Sequence, residues 1–225
     1  MSCHIEFEEE TFKQYIDKVL PLEAEKRFLS FKKYLKGDVL HVGCVGHSTY
    51  AIEKPGWMHE KLCSSENVTS VLGIDILAEG IEEMQRRGYK VKLCNAENMR
   101  LNHKFDTIVA SELIEHLSNP GLFLERAREH LKPGGKLILT TPNGFRIHEY
   151  KRYLINKKVP INPEHVCWFD ENTLLNLVER HGFIVVDTKY VITTKGKLIP
   201  NLLRRILPLP LVADSITMIL MKNRI

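Results

Sequence analysis

Apolar residues near the start of the chain recur at three- and four-residue intervals, first Phe12, Tyr15, Ile16 and Val19, then Phe28, Phe31 and Leu35, with Pro21 between the two sets. This spacing predicts two short helices before residue 37. Beyond that point the period changes. Compact runs rich in Val, Ile and Leu at 38–43, 69–75, 89–95, 105–111 and 136–141 read as strands. Between them lie stretches with helical spacing at 57–63 and 78–87, and a third opened by Ser118, Asn119 and Pro120 and closed by Pro133, Gly134 and Gly135. A further helical stretch is expected over 145–159, and another from an Asp170 N-cap through Arg180 to Gly182. Strands at 183–192 and 215–221 close the chain. Alternation of strand and helix on this scale predicts an α/β fold with a parallel sheet covered on both faces.

Composition narrows the class. The chain has 225 residues, 44% hydrophobic and 27% charged, with 13 Gly and 10 Pro. That is one ordinary globular domain, and it excludes disordered, collagen-like and disulfide-scaffold chains. Five scattered cysteines without a C-x-x-C pair suggest a reducing compartment. The acidic stretch 1–10 lacks an apolar segment, so a cytoplasmic protein is expected. Charge is uneven: residues 1–144 carry 19 Lys+Arg against 21 Asp+Glu, whereas 145–225 carry 13 against 7. The expected organisation is a single domain, 1–225. It comprises N-terminal helices (1–36), a core (37–144), a lid and helix (145–182), and a terminal strand pair (183–225) with an insertion at 193–214.

In an open α/β sheet the ligand sits at the carboxyl ends of the strands. The first strand turns there through Gly43, Cys44, Val45 and Gly46, where glycine lets backbone approach a ligand. The second ends at Asp75 and Ile76, placing a carboxylate that can accept ribose hydroxyls or, more simply, cap the following helix. The third ends at Asn95, Ala96 and Glu97, where an amide could read an adenine edge. The fourth ends at Ser111, Glu112, Leu113, Ile114, Glu115, His116 and Leu117.

These strand ends in this order resemble the class I S-adenosylmethionine-dependent methyltransferases. The resemblance spans about residues 37–192 and is strongest from Phe105 through Leu117, at 131–137 and at Thr141-Pro142-Asn143. It implies a seven-stranded sheet with the last strand antiparallel. It also implies S-adenosylmethionine as cofactor, with Gly43, Cys44 and Gly46 at its methionine part, Asp75 and Ile76 at the ribose, Asn95, Ala96 and Glu97 around the adenine, and Ser111 closing the pocket. Two departures stand out. The family's acidic residue and its second and third glycines are here His41, Val45 and His47, with Gly46 out of register, and its usual third-strand Asp is Asn95. Either a reshaped turn supplies the same backbone path, or the chain is a catalytically silent binding or scaffold protein.

If residues 112–116 begin a helical turn, Glu112, Glu115 and His116 share one face. His116 is then a candidate general base, with Glu112 and His165 as further catalytic candidates; alternatively these groups only bridge the sheet to the next helix. The Glu-x-x-Glu-His cluster with a later His resembles the metal site of small-RNA 2′-O-methyltransferases, and a similar arrangement occurs in ubiquinone-pathway O-methyltransferases. Two carboxylates and two imidazoles suit Mg²⁺, Mn²⁺ or Fe²⁺. The texture of 112–125 and 140–143 is similar to methyltransferases of surface-polysaccharide pathways, implying a small-molecule or saccharide hydroxyl as acceptor. Arg146, Lys151, Arg152, Lys157 and Lys158 form either a lid for an anionic substrate or a solvated face. Nucleic acid is disfavoured, because only Tyr150 and Tyr153 accompany the basic run. The apolar and basic stretch 195–214 suits a peripheral membrane contact, a homodimer contact, or packing on its own sheet.

Overall fold

The computed structural model describes residues 20–46, 49, 52, 56–157, 162–192 and 207–223. The helix expected over Phe12 to Val19, His47, Lys158, and most of the 193–214 insertion lie outside the described residues.

Seven strands form one sheet: β1 (Gly37–Val42), β2 (Val68–Asp75), β3 (Val91–Leu93), β4 (Phe105–Ser111), β5 (Leu131–Pro142), β6 (Phe183–Val191) and β7 (Ser215–Lys222), in spatial order β3-β2-β1-β4-β5-β7-β6. Neighbours from β3 to β5 pair in parallel, and β7 runs antiparallel to both β5 and β6. The described helices are α1 (Leu20–Phe31), α2 (Met58–Cys63), α3 (Ala78–Arg86), α4 (Pro120–His130), α5 (Ile147–Asn156), α6 (Glu171–Arg180) and α7 (Leu209–Val212), with short 3₁₀ turns at Lys32–Tyr34, Ala96–Asn98 and Ile114–His116.

Alternation along the strands divides the core between two faces. Val39, Val109, Ile138 and Ile219 pack with Phe28 and Phe31 of α1 and Leu62 of α2. Leu40, Ile108, Leu137, Leu139 and Leu220 pack with Phe123 of α4 and Leu174 of α6 on the other side. The amino-terminal edge of the sheet is clasped by Lys132, whose Nζ donates to Asp38 Oδ2 (2.9 Å) and Asp106 Oδ2 (2.7 Å).

Three boundaries differ from expectation for physical reasons. Helix α4 stops at His130 rather than at Pro133-Gly134-Gly135, because buried Leu131 already pairs with Phe105 and the Pro-Gly-Gly excursion bulges out of β5. Strand β3 holds only three residues, being an edge with a partner on one side. The 145–159 helix is shorter, ending where Lys157 adopts φ +56°. Helix α6 begins as expected: Asp170 Oδ1 accepts from Asn172 N (2.7 Å) and Thr173 N (3.0 Å), and Thr173 Oγ1 accepts from Asp170 N. Replacing this cap is expected to be measurable. Asp170→Ala should lower the unfolding free energy by about 1 kcal/mol in urea titration; no change would show that α6 is held by packing alone.

Candidate functional site

The carboxyl ends of β1, β2 and β4 meet above the sheet. Gly43 lies at φ +77°, and a side chain there would press on Leu113 Cδ1 at 3.2 Å. Its amide and that of Cys44 both donate to Ile74 O (2.9 and 3.2 Å). The next residue explains how the turn dispenses with a glycine. Val45 N donates to Asp75 Oδ2 (2.9 Å), and its buried side chain packs on α3 where Gly80 leaves room; a Cβ at residue 80 would overlap the Val45 methyls. Gly46 keeps a left-handed turn at φ +81°. The Cys44 thiol points down toward Met84 Sδ (3.7 Å), so this residue offers the cleft its backbone. Burial, then the Asp75 charge, pushes the thiol pKa well up.

Asp75 caps no helix. Its Oδ1 accepts from Leu77 N (3.1 Å) and its Oδ2 from Val45 N, which leaves each carboxylate oxygen one lone pair for a hydroxyl. Beside it Ile76 is 67% exposed, an apolar surface at the tip of β2. Asn95 uses one lone pair of its side-chain oxygen to cap the Ala96–Asn98 turn through Glu97 N (2.8 Å), which leaves its NH₂ and the second lone pair for a ligand. Ala96 is buried, and Glu97 Oε1 accepts from Asn119 N (2.7 Å), tying this loop to the start of α4.

A helical turn over 112–116, the condition for Glu112, Glu115 and His116 to share one face, does not form. Glu112 lies at φ +52°, a conformation costing a non-glycine residue about 1 kcal/mol or more, and only Ile114–His116 make a 3₁₀ turn. Glu112 therefore parts from Glu115. Its carboxylate accepts from Thr140 Oγ1 (3.1 Å) and faces Arg27 Nη1 of α1 (3.8 Å), which also lies 3.8 Å from Glu23. Ser111 Oγ meets the same Thr140 hydroxyl at 2.9 Å. Glu115 is 2% exposed, and its Oε2 accepts from Thr141 Oγ1 (3.0 Å). Burial, then the Glu112 charge, raises its pKa well above the usual carboxylate range. Its backbone carbonyl accepts from Val166 N and Cys167 N, and this anchors the segment that brings in His165. The rings of His116 and His165 meet edge to face at 4.5 Å, and donor atoms of Glu115, His116 and His165 all lie within 4.8 Å of one another. Glu115 Oε1 is buried without a hydrogen-bond partner.

Three contributors escape the sequence reading. Arg27 reaches the site from α1 with its buried Nε unpartnered. His59 of α2 meets His41, the residue in place of the family's acid, Nδ1 to Nδ1 at 3.1 Å. Asn143 donates to Pro210 O and Ala213 O while accepting from Phe145 N, fastening the base of α5 to the 207–214 segment. Arg146 is engaged by Glu149 and by Asp214 (3.4 Å), which removes it from the set of free lid cations. The side chains of Lys151 and Arg152 lie outside the described residues.

Residues 7–188 match the family described as "Methyltransferase domain". The chain belongs to the class I S-adenosylmethionine-dependent methyltransferases. Among curated relatives, the mitochondrial ubiquinone biosynthesis O-methyltransferase of Rattus norvegicus is 34% identical over 117 residues, covering 47% of this chain and 30% of that protein. The ubiquinone biosynthesis O-methyltransferase of Rickettsia conorii is 30% identical over 162 residues, covering 68% and 49%. The matches thus span less than half the length of either relative. The fold is shared with a SAM dependent methyltransferase from Archaeoglobus fulgidus at TM-score 0.67 and 16% identity, over 94% of this chain and 99% of that one. The residues present are compatible with the family's cofactor: Asp75 retains open lone pairs, the Val45 side chain packs on α3, and the orphaned Arg27 Nε suits a carboxylate. Among the described residues no helix is long and apolar enough to cross a membrane.

The His41–His59 pair makes stability depend on pH. Burial, then the neighbouring ring, holds His41 well below its ordinary value, and burial holds His59 at about 4. The unfolded chain therefore binds more protons below about pH 6.5. Unfolding free energy should fall as pH drops from 6.5 toward 4, while His59→Phe should flatten that fall in urea titrations. An identical slope in the variant would remove the pair as the cause.

Proposed function

We propose that the chain transfers a methyl group from S-adenosylmethionine to a hydroxyl of a small or sugar-like acceptor, with His116 taking the hydroxyl proton. The observation that carries this reading is the Glu115, His116 and His165 cluster at the carboxyl end of β4, the strand beside the Gly43 turn of β1. The names of the two ubiquinone-pathway relatives support transfer to oxygen. The cofactor supplies a methyl group on a positively charged sulfur, and displacement at it demands an acceptor held close and in line.

The residues then divide the work. Asp75 accepts the ribose hydroxyls, Ile76 and Ala96 border the base, the Asn95 NH₂ faces its edge, and the backbone at Gly43, Cys44 and Gly46 lets the methionine part lie close to β1. Arg27 holds the carboxylate of that part, and Ser111 lines the floor. A neutral imidazole at His116 accepts the acceptor's proton, contributing about 10²- to 10⁴-fold to rate. His165 packs on that ring and limits its rotation.

A cation-assisted form of the same reaction is favoured by two observations at Glu115, whose carboxylate belongs to the cluster with two imidazoles and whose Oε1 is buried and unpartnered. One carboxylate and two imidazoles suit Mn²⁺, Fe²⁺ or Mg²⁺, which would lower the pKa of an acceptor hydroxyl. Glu112, turned to Arg27, is not part of that donor set.

Calorimetry with S-adenosylhomocysteine should give binding, and Asp75→Ala should weaken it at least about tenfold, as expected for lost charge-assisted hydrogen bonds. With labelled S-adenosylmethionine and a panel of catechols, nucleosides and hexoses, His116→Ala should lower turnover of any accepted hydroxyl by about 10²-fold or more. Activity lost to a chelator and restored by Mn²⁺ supports the cation-assisted form, whereas activity surviving both chelator and Glu115→Ala removes it. No heat with S-adenosylhomocysteine sinks the whole reading.

A further inference from the structure

We infer that Thr140 and Thr141, adjacent at the end of β5, divide the two carboxylates of the Glu-x-x-Glu sequence between two functions, Thr140 positioning Glu112 against Arg27, the proposed holder of the cofactor carboxylate, and Thr141 positioning Glu115 for the cation and acceptor. The inference rests on the cofactor and cation roles proposed above.

The geometry follows from strand alternation. Neighbouring residues of β5 point to opposite faces of the sheet. Thr140 stands opposite Thr217, whose hydroxyl meets Ser30 of α1 at 2.8 Å, so Thr140 faces the side that carries Arg27. Thr141 stands opposite Ile216, which belongs to the core on the other side. Both threonines are fully buried, and each donates its single proton to a different carboxylate: Thr140 to Glu112 Oε1 (3.1 Å) and Thr141 to Glu115 Oε2 (3.0 Å).

The Thr140 hydroxyl is saturated. Having donated to Glu112, it accepts from Glu112 N (3.1 Å) and from Ser111 Oγ (2.9 Å), which fills its donor and both acceptor positions. The Thr140 hydroxyl thus shares Glu112 N with the Thr140 carbonyl, which accepts from it at 2.9 Å, and also holds the side chain of this left-handed residue with its carboxylate toward Arg27. Thr141 makes no such grip on backbone. Its bond to Oε2 fixes the Glu115 carboxyl while Oε1 stays without a partner, in a group that lies in the cluster with the two imidazoles. Glu112 and Glu115 are three positions apart, yet they bond to two consecutive hydroxyls that stand on opposite faces of β5.

The test reads two ligands on the intact chain: S-adenosylhomocysteine by calorimetry and Mn²⁺ by electron paramagnetic resonance. Thr140→Val should weaken S-adenosylhomocysteine about tenfold and leave Mn²⁺ within about twofold, and Thr141→Val should do the reverse, as expected for loss of one buried hydrogen bond. Thr140→Ser and Thr141→Ser keep the hydroxyl and should restore both affinities. Should a valine variant fail to fold, the cysteine variant, a weak donor of similar shape, takes its place. Equal loss of both ligands in either variant, no loss in either, or wild-type protein that binds S-adenosylhomocysteine but not Mn²⁺ overturns the division. Wild-type protein that binds no S-adenosylhomocysteine instead fails the methyltransferase proposal itself.

Discussion

The position of β1 between β2 and β4 is the constraint from which the cleft follows. The chain leaves β1 to build outward through β2 and β3, then returns to lay β4 on the opposite edge, so the loops after β1 and β4 diverge and leave a crevice between them. All strands from β3 to β5 run in parallel, and every chemistry-bearing tip, from Asp75 to Glu112, arrives at the same end. The opposite end has a different task. There Lys132 draws Asp38 and Asp106 together, fixing the register of β1 against β4 away from the chemistry. Loops above the sheet can then differ without loosening the frame.

Much of this was legible in the sequence because period, caps and strand tips are local signals. Phe105–Ser111 and the Asp170 cap are found where the spacing predicts them, while Asp75, Asn95 and Ser111 stand out as strand tips whose proposed cofactor roles come from the family resemblance. What escaped depends on contacts remote in sequence. Nothing around Arg27 indicates that it will face Glu112, 85 positions later, and nothing near His41 announces His59. The Glu112 turn is hidden for a related reason. A helical spacing of two carboxylates and an imidazole is a fair local inference, but hydrogen bonds from Thr140 reward a left-handed residue that no periodicity reveals.

Charge illustrates the same separation. The excess of basic residues in the last third invites a single anionic partner, yet Arg146 is engaged by its own neighbours, and the 207–214 segment is fastened to Asn143. Buried and half-buried ionic groups instead gather between α1 and the end of β4, where Glu23, Arg27 and Glu112 form one chain of charges. Such a chain is costly to break, since each member removed leaves another buried charge uncompensated.

Val45 and Gly80 show a steric exchange that a motif comparison cannot see. The turn after β1 holds a bulky residue where the family has a glycine, and the missing volume has been taken from α3 instead. The two positions behave as one, and the exchange has a direction. A chain with glycine at 45 tolerates either glycine or alanine at 80, whereas a chain with valine at 45 tolerates only glycine there. A substitution path from a regular glycine loop to this one therefore passes through the small residue on the helix first, and the helix records the history of the loop.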